Sequence, residues 1–352
     1  MKIRKFIFFL FFFLFPFSVS AKTTSTIIMD NDSGRILFQE NIHEQKLIAS
    51  ITKVMTAIIV IENFDIKKTI TIGEEVLSMY GTNIYLEVGE EMSIEDLLYG
   101  LLLRSGNDAA IALAENIVGE DEFVKLMNDK AQSLGMKDTI FENPHGLDDD
   151  TKNISTAYDM ALLARYAYKN PVYQKIISTK KYKTKSNLKS YEWYNRMSLL
   201  SNYKFCIGGK NGYTPKAGKT LISYAKKNNH ILIIVSLNDS NIYENHKYYY
   251  EKYFSMLKKY TIVEKDTFNK NPFFKKHNLY IKNDFQYFLL ENEINDISTI
   301  VEIMPPNPKD KKRGNIRILL KKEEIGNIKI FSKSKKKKDH NNIFQKIIQK
   351  II

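Results

Sequence analysis

Between Ser50 and about Asn63 the chain runs through Val54, Met55, Ala57, Ile58, Ile59, Val60 and Ile61, with one charge, Lys53, ahead of Glu62. A helix that is apolar on nearly every side lies in the middle of a domain, because no face of it can be given to water. The rest of the chain must therefore supply its cover. Candidate helices follow at 93–103, 108–118, 121–134 and 156–169, the first opened by Ser93 with Asp96 three residues on, which resembles a capping box.

Strands flank this helical stretch. Residues 24–40 read as a hairpin about the turn Asp30-Asn31-Asp32-Ser33-Gly34. After Cys206 the pattern turns to strands again: 220–225 and 230–237 flank Lys226-Lys227-Asn228-Asn229, and 241–258 returns to a helical period. The expected fold class is α+β, helices packed with an antiparallel sheet, in a domain over 22–262. Residues 263–332 are short, alternating and turn-rich, interrupted by Pro305-Pro306-Asn307-Pro308. A hairpin of 316–321 with 327–331 would close a small all-β domain there.

The two ends read differently. Lys2, Arg4 and Lys5 precede the apolar run 6–17, and Val19-Ser20-Ala21 supplies small residues, the pattern of a signal peptide over 1–21 cleaved after Ala21. The apolar run falls short of the roughly 20 residues a membrane span needs. At 333–352 stand seven lysines against one aspartate, a net +6. Ile343, Phe344, Ile347, Ile348, Ile351 and Ile352 share one half of a helical wheel, so an amphipathic helix on a membrane surface is expected for this tail. Of the chain's formal +13, the two ends hold all but +4, too little for a nucleic-acid partner. The single cysteine, Cys206, forms no internal bridge, and no zinc-type cluster accompanies it.

No GxSxG elbow, HExxH helix, Walker loop or GxGxxG fingerprint occurs. His145, in Asn143-Pro144-His145-Gly146, reads as a structural histidine of a turn-rich loop. The chemistry that fits is a serine activated by a neutral lysine one helical turn away, the spacing of Ser50 and Lys53. As a string SxxK is uninformative, since eight serines here satisfy it. What separates Ser50 is that Lys53 is the only charge in the apolar helix, where desolvation lowers an amine's pKa and makes it a base. Ser105-Gly106-Asn107 adds a hydroxyl and an amide between two helices, and Lys210-Asn211-Gly212 a cation beside a glycine before the strands.

In this order the three boxes are similar to the signature of penicillin-recognising serine enzymes. Over 24–262 the chain resembles the D-alanyl-D-alanine carboxypeptidases, the low-molecular-weight penicillin-binding proteins. The blocks that carry the resemblance are Ala49-Ser50-Ile51-Thr52-Lys53-Val54-Met55-Thr56, Glu95–Leu102 leading into Ser105-Gly106-Asn107-Asp108-Ala109-Ala110, Asn143-Pro144-His145-Gly146-Leu147, and Gly209-Lys210-Asn211-Gly212-Tyr213-Thr214. The resemblance implies that Ser50 is the acyl-ester nucleophile, Lys53 the proton acceptor, Ser105 a proton relay and Asn107 an orienting group. It further implies that Lys210, Asn211, Gly212 and Tyr213 bind substrate, with the Ser50 and Tyr213 N–H groups as oxyanion hole. The implied substrate is a peptidoglycan stem peptide ending in D-Ala-D-Ala at the outer face of the cytoplasmic membrane. β-Lactams would acylate the same serine, and no metal or organic cofactor is implied.

The third box departs from the family's Lys-Thr-Gly at Asn211, which keeps a donor for a carboxylate but is longer and planar. That departure leaves a weakly active or inactive penicillin-binding scaffold as the rival reading. A serine β-lactamase would need a further deacylating carboxylate, for which Glu142 is the nearby candidate.

Overall fold

The computed structural model describes residues 23–305 and 311–333, together with the backbone of 346–349. Its centre is a five-stranded antiparallel sheet in the spatial order β2-β1-β5-β4-β3, formed by β1 (Ser25–Asp30), β2 (Ile36–Glu40), β3 (Cys206–Thr214), β4 (Gly218–Lys227) and β5 (His230–Leu237). The hairpin at the start of the chain is thus paired with strands more than 200 residues later, Ile27 opposite Val235. Side chains alternate across each strand, so the sheet has two faces to cover. Ile27, Ile222, Tyr224, Ile233 and Val235 face one helical layer, and Ile28, Leu221, Ala225, Leu232 and Ile234 face another.

The first layer holds α1 (Lys53–Asn63), α2 (Ile94–Tyr99), α3 (Asn107–Val118), α4 (Glu120–Ser133), α5 (Ala157–Ala167) and α6 (Pro171–Ser178). In α1 every residue from Lys53 to Val60 is buried, as an all-round apolar helix requires. Ser50 does not belong to this α-helix. It lies in a tighter 3-10 turn, Ala49–Thr52, that feeds α1. The expected helix 93–103 is likewise two pieces: α2, capped by the Ser93 side chain on the Asp96 N–H, then a wide π turn over Gly100–Arg104. The second layer is α7 (Ser198–Asn202) with α8 (Ile242–Met256).

Beyond Leu257 a second, C-terminal core gathers Val263, Leu289, Val301, Ile316, Ile318 and Ile330. Its sheet has the order β7-β11-β10-β9-β12, and β6 (Lys258–Val263) pairs separately with β8 (Phe285–Leu289). The strands are β7 (Leu279–Tyr280), β9 (Ile297–Ile303), β10 (Lys312–Leu320), β11 (Glu323–Ser332) and β12 (Lys346–Gln349). The region is β-built as expected, and it also carries two short helices, α9 (Lys265–Lys270) and α10 (Pro272–Lys276).

One expectation is corrected. Residues 346–349, read as part of an amphipathic helix, are a strand antiparallel to β9, Ile300 opposite Ile348. The edge of β9 offers unpaired backbone groups, and a segment containing two consecutive β-branched isoleucines satisfies them better as a strand than as a short isolated helix. The signal-like segment 1–21 and the lysine run 335–338 lie outside the described residues. Among the described residues no helix is long and apolar enough to cross a membrane.

Candidate active site

The site forms where the edge strand β3 meets the turn before α1. Lys53 is fully buried, so the core encloses it and its amine does not snorkel to solvent. Its Nζ donates to Ser50 Oγ at 3.0 Å, Asn107 Oδ1 at 2.7 Å and the His145 carbonyl at 2.5 Å. Burial, and then the positive charge of Lys210, hold the Lys53 pKa well below its ordinary value, and Asp108 offsets this only in part. Of the three partners, the Asn107 and His145 oxygens can only accept. When Lys53 loses a proton, its two remaining N–H groups stay on those oxygens and its lone pair is turned to the one partner able to donate, Ser50 Oγ–H. The base is aimed by its acceptors.

Each acceptor is fixed by local structure. Asn107 opens α3 and its Nδ2 donates to the Tyr80 carbonyl at 2.7 Å, which leaves Oδ1 for Lys53 and settles which way the amide points. Asp108, the next residue, accepts the backbone N–H groups of Ile84 and Leu86 and so ties the 79–90 segment to α3. The His145 carbonyl is presented by a turn in which Asn143 Oδ1 accepts the Gly146 N–H at 2.6 Å and the Pro144 carbonyl accepts Thr56 Oγ1 at 2.6 Å. Gly146 has φ +88°, and a Cβ there would lie 2.1 Å from the Ala49 carbonyl. Only glycine fits this approach to the nucleophile turn.

The His145 ring is structural, as its loop context suggests. It is buried, its Nδ1 accepts the Leu147 N–H, and burial together with Lys53 pushes its pKa down to about 3. It is therefore a neutral imidazole across the range where a hydrolase works.

The second cation faces the first. Lys210, on β3, is buried and donates to Ser105 Oγ at 2.9 Å and to the Asn211 carbonyl at 2.6 Å. Burial, then Arg196, bring its pKa down to about 7. Ser105 ends the π turn in the left-handed region, φ 67°, a conformation a serine holds only where its surroundings impose it. Gly212 lies against the nucleophile turn: a Cβ on it would stand 2.7 Å from the Ser50 N and 2.6 Å from Thr220 Oγ1.

Ser50, Lys53, Ser105, Asn107, Lys210 and Gly212 are thus brought to one place. Asn211 and Tyr213 are not oriented with them. Alternation along β3 sends Lys210 to the α1 side and Asn211 to the α8 side, opposite Leu221. The Tyr213 ring is 64% exposed.

The sequence reading missed several contributors. Arg196, whose charge reaches both Lys210 and the Tyr243 hydroxyl, sits in no recognisable motif. At the mouth, Tyr80 donates to Asp149, Lys216 Nζ donates to the Asp148 carbonyl at 2.8 Å, and Thr214 donates to Asp148 at 2.6 Å. This arch joins three segments distant in sequence, and no spacing rule announces it.

An α+β domain with a serine and two buried lysines converging at an edge strand has the architecture of the DD-peptidases and their penicillin-recognising relatives. A family model described as D-alanyl-D-alanine carboxypeptidase, peptidase family S11, matches residues 16–241, and the chain belongs to that family. It is 39% identical over 212 residues to the D-alanyl-D-alanine carboxypeptidase DacF of Bacillus subtilis, covering 58% of this chain and 54% of that protein. It is 35% identical over 230 residues to DacD of Escherichia coli, covering 60% and 57%. The match spans little more than half the length of these relatives. The crystal structure of a Mycobacterium tuberculosis D-alanyl-D-alanine carboxypeptidase superposes with TM-score 0.63 at 30% identity, over 66% of this chain and 90% of that one. That of DacD from Francisella tularensis gives TM-score 0.67 over 94% of this chain and 96% of that one, at 24% identity, a likeness of fold that extends through the C-terminal region.

Proposed function

We propose that the chain is a serine-type D-Ala-D-Ala carboxypeptidase that removes the terminal D-alanine from peptidoglycan stem peptides. The observation that carries this reading is the Lys53 amine, whose acceptors leave Ser50 as the one group it can deprotonate. Ser50 attacks the carbonyl between the two D-alanines, and Lys53 takes the hydroxyl proton. The oxyanion forms beside the backbone N–H of Ser50 and that of Tyr213, two segments that Gly212 allows to meet. Ser105, held by Lys210, passes a proton to the leaving amine, and Lys210 supplies positive charge for the terminal carboxylate. The C–N bond breaks, D-alanine departs, and water hydrolyses the Ser50 ester. Penicillin presents a similar acyl group and should stop at the ester.

We assign the catalysis to 22–262, with 263–332 as an accessory β region. We place the protein outside the cytoplasmic membrane on its signal-like first 21 residues. The lysines of 333–338 would contact anionic lipid; with 346–349 paired as a strand, attachment rests on these charges and not on an amphipathic helix.

Intact-mass analysis after incubation with benzylpenicillin tests the nucleophile. One penicillin should be added to the protein and map to the peptide containing Ser50, and Ser50→Ala should take up none. Labelling that persists in Ser50→Ala would contradict the assignment.

A further inference from the structure

On the α8 side of β3, immediately beside the nucleophile turn, lies a cavity of about 270 Å³ lined by Asn211, Tyr213, Lys219, Ile242 and Tyr243. Three observations connect it with the reaction. Gly212, which also lines it, is the residue packed against the Ser50 backbone, so the cavity opens next to the reacting carbonyl. Asn211 sends its side chain to this face, and its carboxamide has no hydrogen-bond partner among the described residues. Lys219, opposite Tyr213 in the sheet, is exposed and reaches the Ser240 carbonyl with its Nζ at 2.7 Å, leaving two further N–H donors on a cation at the cavity wall.

The chemistry of this lining is mixed in a specific way. Ile242 and the rings of Tyr213 and Tyr243 offer apolar surface, while Asn211 and Lys219 offer donors suited to a carboxylate. The space is several times the roughly 30 Å³ of one water molecule, and a methyl group is about that size. A terminal D-alanine would leave most of it unfilled.

We infer that this cavity is the pocket for the leaving residue, and that it accepts substrates whose terminal D-amino acid carries a bulky apolar or aromatic side chain. The inference rests on the carboxypeptidase reading, since it places the substrate's terminal carboxylate at the Lys210–Asn211 end of β3. The reaction is otherwise unchanged: Ser50 Oγ bonds to the penultimate carbonyl carbon, the C–N bond breaks, the departing D-residue takes the proton onto its amine, and water hydrolyses the ester. The side chain of the departing residue lies on Ile242 and Tyr243, and its carboxylate meets Asn211 and Lys219.

Two peptides identical up to the penultimate D-alanine, one ending in D-alanine and one in D-leucine, decide the matter when release of each free D-amino acid is measured with the full mature protein. The pocket predicts a kcat/KM for D-leucine release within tenfold of that for D-alanine. It also predicts that Tyr243→Trp, which narrows the cavity, lowers the D-leucine to D-alanine ratio at least tenfold. Penicillin acylation of the same samples verifies that the variant is folded. D-alanine release with D-leucine release reduced more than tenfold overturns the pocket and leaves the carboxypeptidase standing. An unchanged ratio in a folded Tyr243→Trp does the same. Release of neither residue overturns both.

Discussion

At the scale of single residues, the site is a problem of where protons reside. Lys53 and Lys210 are both amines in a dry interior, each lowered first by burial, and each deterred further by a neighbouring cation: Lys210 for the one, Arg196 for the other. The mechanism asks opposite things of them, Lys53 neutral as base and Lys210 charged as carboxylate partner. Because Lys210 sits at about 7, its charge is present below that pH and is lost as pH rises through it. The kcat/KM for a peptide ending in D-Ala-D-Ala should therefore fall on the alkaline side of about 7. Arg196→Ala, by removing the cation that disfavours the charged form, should move that limb to higher pH. A limb that stays in place would remove Arg196 from this role. His145, held at about 3, should contribute no limb near its ordinary 6.5. Gly146→Ala should be far harsher than a surface change, since its Cβ would strike the Ala49 carbonyl and displace the turn carrying Ser50. Loss of penicillin acylation should accompany any loss in melting temperature.

At the scale of elements, what was legible in the sequence is what local pattern encodes. The burial of α1, the hairpin at 25–40 and the strands flanking Lys226–Asn229 follow from periodicity and turn residues, and Ser93 caps α2 as its spacing implies. The three boxes were legible as strings, and their convergence is consistent with the resemblance. The facing of Asn211 was not legible: a three-letter box lists neighbours in sequence, whereas a strand sends consecutive side chains to opposite faces. The last strand was misread because isoleucine serves helix wheels and sheet edges alike, and an unpaired edge decides between them. Equally hidden was the buried polar chain behind the sheet. Tyr250 Oη meets Ser223 Oγ at 2.7 Å, Ser223 meets His246 Nδ1 at 2.7 Å, and His246 Nε2 meets Ser236 Oγ at 3.0 Å, linking α8 to β4 and β5. Burial keeps His246 neutral, at about 3, so it can donate with one nitrogen and accept with the other. His246→Leu should strand two serine hydroxyls at about 1–3 kcal/mol each and lower the melting temperature by several degrees. An unchanged melting temperature would show the chain to be dispensable.

At the scale of the whole molecule, the C-terminal β region is joined to the central sheet by a few buried contacts. Arg35, after the β1 turn, pairs with Glu293 at 2.6 Å with both side chains less than a tenth exposed, and also donates to the Phe288 carbonyl at 2.9 Å. Nearby, His230 pairs with Asp30 and stacks on Phe288 with ring centroids 4.1 Å apart. Breaking one partner of such a pair leaves a buried charge, and Glu293→Ala should cost about 3 kcal/mol. Its effect should be read in calorimetry as earlier melting, while penicillin acylation at Ser50 persists. If acylation were lost as well, the β region would be part of the catalytic unit. The central claim, that Ser50 and Lys53 form a working carboxypeptidase despite Asn211 in the third box, is tested most directly by one assay. The protein comprising residues 22–352 is incubated with a peptide ending in Lys-D-Ala-D-Ala, free D-alanine is measured, and Ser50→Ala is run alongside. The account predicts release by the wild type and none by the variant. No release from either, or equal release from both, would contradict it.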